Sequence, residues 1–127
     1  MTEFVVRMAN RPGMLAKLTE TLAEVGVNIE ALAAFGYDDT GVVRLVVDNA
    51  PAARSALREA GLAHDEHQIL TTYLRHQPGQ LASVARKLAD AGVNVDALYV
   101  LHTNSEGIDL AISVDEPELA SSYLSSR

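Results

Sequence analysis

The sequence predicts two tandem α+β units of one design, the first running strand, helix, strand, strand, helix, strand and the second the same order without its last strand. Three observations carry this expectation. The stretch NRPGMLAKLTETLAEVGVNIEAL at Asn10–Leu32 returns 66 residues later as HQPGQLASVARKLADAGVNVDAL at His76–Leu98. The match is gapless, aligning Pro12 with Pro78, Gly13 with Gly79, Leu22 with Leu88, Gly26 with Gly92 and Asn28 with Asn94, and it continues to Gly41/Gly107 and Pro51/Pro117. Within each copy the apolar period switches from two to three or four and back, as it does when strands flank an amphipathic helix. A repeat this long is a duplicated domain, because solenoids stack several shorter units. The expected domains are residues 1–68 and 69–127.

In the first copy, Phe4, Val6 and Met8 alternate with Val5 and Arg7 over Thr2–Met8, the pattern of a half-buried strand. Asn10-Arg11-Pro12-Gly13 ends it, and proline suits a helix start. Leu15, Leu18, Leu22 and Val25 then form a helical apolar stripe, with Lys17, Glu20, Thr21 and Glu24 elsewhere. Gly26 stands where a left-handed C-terminal residue is wanted. Val27–Tyr37 alternates, placing Val27, Ile29, Ala31, Ala33 and Phe35 on one face. Asp38-Asp39-Thr40-Gly41 reads as a hairpin turn and Val42–Val47 as the returning strand. A helix over Pro51–Ala60 points Ala53, Ala56, Leu57 and Ala60 inward, and His64–Ile69 is the fourth strand.

The second copy repeats this order: Leu70, Thr72 and Leu74 in the first strand, then Leu81, Val84, Leu88 and Ala91 in the helix. Val93–Thr103, Gly107–Val114 and Glu116–Leu124 complete it. The apolar phase of Val43, Leu45 and Val47 is one residue off that of Ile108, Leu110 and Ile112, a slip that a bulge in one copy would absorb. No glycine or proline interrupts His64–His76 before Gln77, so the first copy's last strand is expected to run almost directly into the second copy's first. Arg127 aligns with Gly61, so the second copy's fourth strand is expected to be missing. An open sheet edge is normally paired or covered, which calls for a partner chain.

Composition narrows the partners. Units of about 60 residues are viable but marginal alone. A net charge of −7 opposes nucleic-acid binding, which demands a basic surface. No run of 18 apolar residues exists to span a membrane, and MTEFVVRMANRPG lacks the regions of a signal peptide. With no cysteine there is no disulfide framework or thiol chemistry. The expectation is a cytoplasmic protein.

The repeated corner between first strand and first helix has chemistry to offer. Backbone N–H groups at a helix start are an anion site, and Gly13 and Gly79 would let a ligand approach the backbone closely. Asn28 and Asn94 open the second strand, next to that corner on this reading, and an amide both donates and accepts. Helix N–H groups for a carboxylate and an asparagine for an ammonium suit a free α-amino acid.

With these residues in view, NRPGMLAKLTETLAEVGVNI resembles the opening half of an ACT domain, the amino-acid-sensing module of biosynthetic enzymes. It is especially similar to the regulatory domain of phosphoglycerate dehydrogenase and to acetolactate synthase regulatory subunits. The resemblance covers both copies. It implies a ferredoxin-like βαββαβ fold with both helices on one face of an antiparallel sheet. It also implies a ligand held between the loop before the first helix and the second strand of a neighbouring domain. The dehydrogenase pattern places Asn10 and Asn28 on the amino acid, with Asn94 in the second copy and His76 in place of the motif's first asparagine. Met8 and Leu74 stand where that domain has its ligand-binding histidine, a departure that points away from serine.

The expected pockets are therefore Asn10, Arg11, Gly13, Met14 and Leu15 with Asn94 and Val95, and His76, Gln77, Gly79, Gln80 and Leu81 with Asn28 and Ile29. No catalytic residues, metal or cofactor are expected. His64 and His67 would lie on opposite strand faces, Asp38/Asp39 suit a turn, and Ser121, Ser122, Ser125 and Ser126 suggest a fraying tail. Glu30 and Asp96 read as solvated strand charges, and Leu32, Ala34, Leu98 and Val100 as apolar rows facing away from the helices. The functional expectation is a non-catalytic amino-acid sensor, a homodimer that relays to an enzyme or regulator. The alternatives are a regulatory subunit of acetolactate-synthase type and a small acylphosphatase-like enzyme, for which Arg11 is the only hint.

Overall fold

The computed structural model describes residues 1–124, which form two compact units, Thr2–His67 and the stretch from Gln68 onward with Met1. The first unit contains β1 (Thr2–Ala9), α1 (Met14–Glu24), β2 (Ile29–Tyr37), β3 (Thr40–Val47), α2 (Ala50–Glu59) and β4 (His64–Gln68). Its sheet has the order β2-β3-β1-β4, with β3 antiparallel to both β1 and β2. The second contains β5 (Leu70–Arg75), α3 (Gln80–Asp90), β6 (Val95–Thr103), β7 (Gly107–Val114) and α4 (Pro117–Ser121). Its antiparallel sheet, β5-β7-β6, lacks the fourth strand among the described residues. Each unit is ferredoxin-like, and a single residue, Ile69, separates β4 from β5.

Alternation on the strands and helical spacing on the helices converge on one core per unit. Phe4, Val6, Val43, Leu45 and Val47 of the first sheet meet Leu18 and Leu22 of α1 and Ala53 and Leu57 of α2. Leu74, Leu110, Ile112 and Val114 meet Val84, Leu88 and Ala120 in the second. Each fully buried leucine contributes about 1.5–3 kcal/mol. The α1 stripe is narrower than its spacing suggests, since Leu15 and Val25 are 46% and 48% exposed. Leu15 belongs to the first turn of the helix, and Val25 has left the helical spiral as its C-cap. Gly26 is left-handed, as expected, at φ 71°.

The second strands depart from the expected alternation. Ile29 pairs with Val47 but Ala31 pairs with Val46, so Glu30 is an extra, bulged residue. Beyond it the phase is reversed. Leu32 and Ala34 lie opposite Leu45 and Val43 on the helix-bearing face, while Ala31, Ala33 and Phe35 turn to the other. Asp96 is bulged in the same way, putting Leu98 and Val100 opposite Ile112 and Leu110. The apolar rows thus lie on the helix-bearing face, and Leu32, Leu98 and Val100 remain 38–49% exposed because β2 and β6 are outer strands.

The slip between copies has a local cause. Tyr37 pairs with Thr40 across two residues, whereas Thr103 pairs with Ile108 across four. The bulge expected in one copy is at Leu101, between the Val100/Leu110 and His102/Asp109 pairs. At the far end, Asp48 and Asp115 donate to the carbonyls of Asn28 and Asn94, and the turn onward to Pro117 is one residue shorter than that to Pro51.

Polar β4, HDEHQ, is held by charge as well as by burial. Arg54 of α2 makes two hydrogen bonds to Glu66, at 2.8 and 2.6 Å, and Arg7 of β1 reaches Asp65 at 2.6 Å. Hydrogen bonding to these guanidinium groups holds both carboxyls below their usual range. Ser121 and Ser122 end α4 with hydroxyls donating to the carbonyls of Glu118 and Leu119, a helix terminus rather than a frayed tail. Ser125 and Ser126 lie outside the described residues.

Candidate functional site

A cavity of about 160 Å³ opens beside the start of α1. Its lining comes from the end of β1 (Met8, Ala9), the loop after it (Asn10, Arg11), the first turn of α1 (Met14, Leu15), the end of β2 (Ala34, Phe35, Gly36) and β3 (Gly41, Val43). Four expected residues, Asn10, Arg11, Met14 and Leu15, are thereby brought together. The volume equals about five water molecules' share of liquid, enough for a ligand of a few heavy atoms that projects partly into solvent.

The sequence builds this cavity locally. Gly13 caps α1 with φ 91°, a left-handed conformation that lets the chain turn sharply from β1 into the helix. A Cβ there, or at Gly79, would meet nothing within 4 Å, so the positive φ rather than protein crowding favours glycine at both positions. Asn10 is tied to the β2–β3 hairpin: its backbone N–H donates to Asp39 (2.8 Å) and its side-chain amide to the Asp38 carbonyl (2.9 Å). The amide lies over Gly36, where a Cβ would fall 2.7 Å from Nδ2, and its Oδ1 remains available as an acceptor.

Arg11 is exposed and has no ion-pair partner among the described residues, while Arg7, Arg44 and Arg54 of the same unit hold Asp65, Glu3 and Glu66. The rim therefore carries an uncompensated cation beside the positive end of a helix. Beneath it the walls are apolar: Met8, Met14, Leu15, Ala34 and Val43. Sequence reasoning missed Met8, Ala9, Ala34, Phe35, Gly36, Gly41 and Val43 as site residues, those of β2 because the Glu30 bulge decides which of its side chains share a face with β3.

The second copy builds the corner differently. Its counterpart, about 390 Å³ and more open, is lined by Leu74, Arg75, His76, Gln77, Pro78, Gln80, Leu81 and Ile108, with no residue of β6. The counterpart of Gly36 is His102, which pairs with Asp109 on the face away from the helices and contacts its carboxylate at 2.9 Å. His76 keeps the tether, its Nε2 lying 2.8 Å from the Asn104 carbonyl. A separate polar cleft of about 600 Å³ runs among Tyr73, Arg75, His76, Gln77, Ser105 and Glu106.

Asn28 and Asn94 are not next to the corner of their own units. Each begins the strand that follows the helix, so it sits at the end of the sheet to which the helix has carried the chain. The six strand residues Ile29–Ala34, roughly 20 Å of extended chain, separate Asn28 from Phe35. Their backbone N–H groups donate to Asp48 and Asp115, and the Asn94 amide donates to Asp96 at 2.9 Å.

The duplicated βαββαβ fold, with a small cavity at its first helix start, defines a tandem ferredoxin-like protein. The ACT domain pair family model matches residues 1–124, and the chain belongs to that family. No curated protein matches it. Among solved structures, a Bacteroides thetaiotaomicron protein is similar at 24% identity and a TM-score of 0.86, over 96% of this chain and 84% of that one. The ligand-free regulatory subunit of aspartate kinase from Thermus thermophilus shares the fold at 20% identity and a TM-score of 0.71, over 96% and 89%. That from Thermus flavus does so at 18% and 0.66, over 96% and 88%. No helix among the described residues is long and apolar enough to cross a membrane.

Proposed function

We propose that this chain is a non-catalytic sensor of a free amino acid, and that the cavity of the first unit is its ligand site. The observation that carries this reading is the rim. Arg11, an unpaired cation, and Asn10 Oδ1, an open acceptor, stand over apolar walls. A carboxylate is drawn to Arg11 and to the first-turn N–H groups, and an ammonium to Asn10 Oδ1. That pairing of an anion site with an acceptor a short distance away is what an α-amino acid requires. The regulatory subunits that share the fold fit a role in relaying occupancy to an enzyme or regulator.

Signalling follows from differential affinity. A ligand that binds one arrangement of the Asn10 loop and the Asp38–Asp39 hairpin more tightly shifts the population towards it. We further propose a cytoplasmic homodimer, because the apolar outer strands β2 and β6 leave Leu32, Leu98 and Val100 for a second copy to cover. A thermal-shift screen against the common amino acids tests the sensor reading. A ligand at ~100 times its dissociation constant adds ~2.7 kcal/mol, a readily measured rise in melting temperature. No shift with any amino acid at millimolar concentration contradicts it.

A further inference from the structure

We infer that the amino acid taken by the first-unit cavity is one with an apolar side chain, of the size of leucine or methionine, and that Ala34 sets the depth to which it enters. The inference rests on the sensor reading and adds the ligand class to it. Polar side chains line the cavity only at Asn10 and Arg11, and both sit in the exposed loop between β1 and α1. A ligand held there by its α-carboxylate and α-amino group has its side chain directed inward, since the α-carbon groups are engaged at the mouth. What it meets is Met8 and Met14, both half-buried, and buried Val43.

None of these side chains offers a hydrogen-bond partner to a carboxylate, ammonium or carboxamide. Such a group would be desolvated without compensation, whereas an alkyl or thioether chain gains contact area at no polar cost. The two methionines, unbranched and polarisable, adapt to either an alkyl or a thioether shape. Ala34 lies opposite Val43 in the β2–β3 register, so its methyl group borders the space that the side chain would fill. The counterpart in the second copy is Val100, and there no β6 residue lines the corner. The selectivity is therefore a property of the first unit.

Isothermal calorimetry on the full chain tests this with leucine, methionine, alanine, aspartate and lysine as ligands. Leucine or methionine is expected to bind at least about ten-fold more tightly than alanine, because each methylene buried in an apolar pocket is worth about ten-fold or more. Aspartate and lysine are expected to bind more weakly still. Ala34→Leu, on an exposed stretch of an outer strand, is expected to lower leucine and methionine affinity by about ten-fold and alanine affinity by clearly less. Aspartate or lysine binding as tightly as leucine overturns the inference and leaves the sensor reading standing. So does an equal loss for every ligand in Ala34→Leu. Absence of binding by all five overturns the inference, and the screen against the remaining amino acids then decides whether the sensor reading falls with it.

Discussion

The side-chain amide of Asn10 donates to the backbone carbonyl of Asp38 at 2.9 Å, joining the loop that precedes α1 to the hairpin 28 residues further on. In the second copy, His76 and Asn104 make the equivalent contact at 2.8 Å with a different side chain. The tether is thus kept where the residue type is not, joining the loop to the hairpin in each unit. On the proposed reading, a ligand held by Arg11 would bear on the hairpin as well as on the helix start.

Gly36 makes room for that tether. A Cβ at this position would lie 2.7 Å from the Asn10 amide nitrogen and 2.8 Å from Oδ1, so Gly36→Ala is expected to push the amide off the Asp38 carbonyl. The stability cost should be modest, about 1 kcal/mol for one exposed hydrogen bond, because the short side chain can swing away. Ligand affinity should fall more than stability does. Urea denaturation and calorimetry on the same variant check this, and unchanged affinity would argue against a role for Asn10 in the site.

Two glycines separate backbone conformation from packing. Gly13→Ala meets no neighbour but is held at φ 91°, so it should cost about 1–2 kcal/mol. At Gly107 a Cβ would run into the Leu74 carbonyl oxygen and fall 2.6 Å from the Tyr73 hydroxyl. Backbone cannot yield as a side chain does, so Gly107→Ala should cost about 3 kcal/mol or more. Urea midpoints in the reverse order would contradict both accounts.

The hydrogen bonds from Arg54 depress the Glu66 pKa, and the one from Arg7 depresses that of Asp65. In each case the folded protein binds the proton less readily than the unfolded chain. The stabilisation is therefore fully present above the unfolded carboxyl pKa, about 4, and is lost as pH falls through the lower folded value. Urea midpoints are expected to decline from about pH 5 downward, and Glu66→Gln should flatten part of that decline. An identical slope in the variant would remove Glu66 from the account.

Much of this architecture is legible in the sequence. The gapless repeat predicts the duplication, and the periods of Phe4-Val6-Met8 and Leu18-Leu22 place the cores. The β1–α1 half of the site is legible for the same reason, since Asn10, Arg11, Met14 and Leu15 are fixed by a local turn and a helix start. The β2 half is not. One extra residue at Glu30 reverses every later side chain of the strand, and nothing in the alternation of Val27–Tyr37 announces it. The divergence of the second corner is hidden for a related reason. It depends on a hairpin two residues longer and a bulge at Leu101, while the sequence alignment itself shows no gap.

On the proposed reading Arg11 supplies the cation that meets the ligand's carboxylate, so its loss should be felt most by a ligand and least by the fold. Arg11→Gln is expected to weaken amino-acid binding about ten- to hundred-fold, the worth of a hydrogen bond to a charged group, with an unchanged urea midpoint. Asn10→Ala should weaken binding and also lower the midpoint slightly, because it breaks the tether to Asp38 as well.

Calorimetric titration of the intact chain with its best amino-acid ligand, run beside Arg11→Gln and His76→Ala, is the most direct measurement. The account predicts a single ligand per chain, strongly weakened by Arg11→Gln and little changed by His76→Ala. Two equivalent sites per chain, or an affinity indifferent to Arg11, would contradict it.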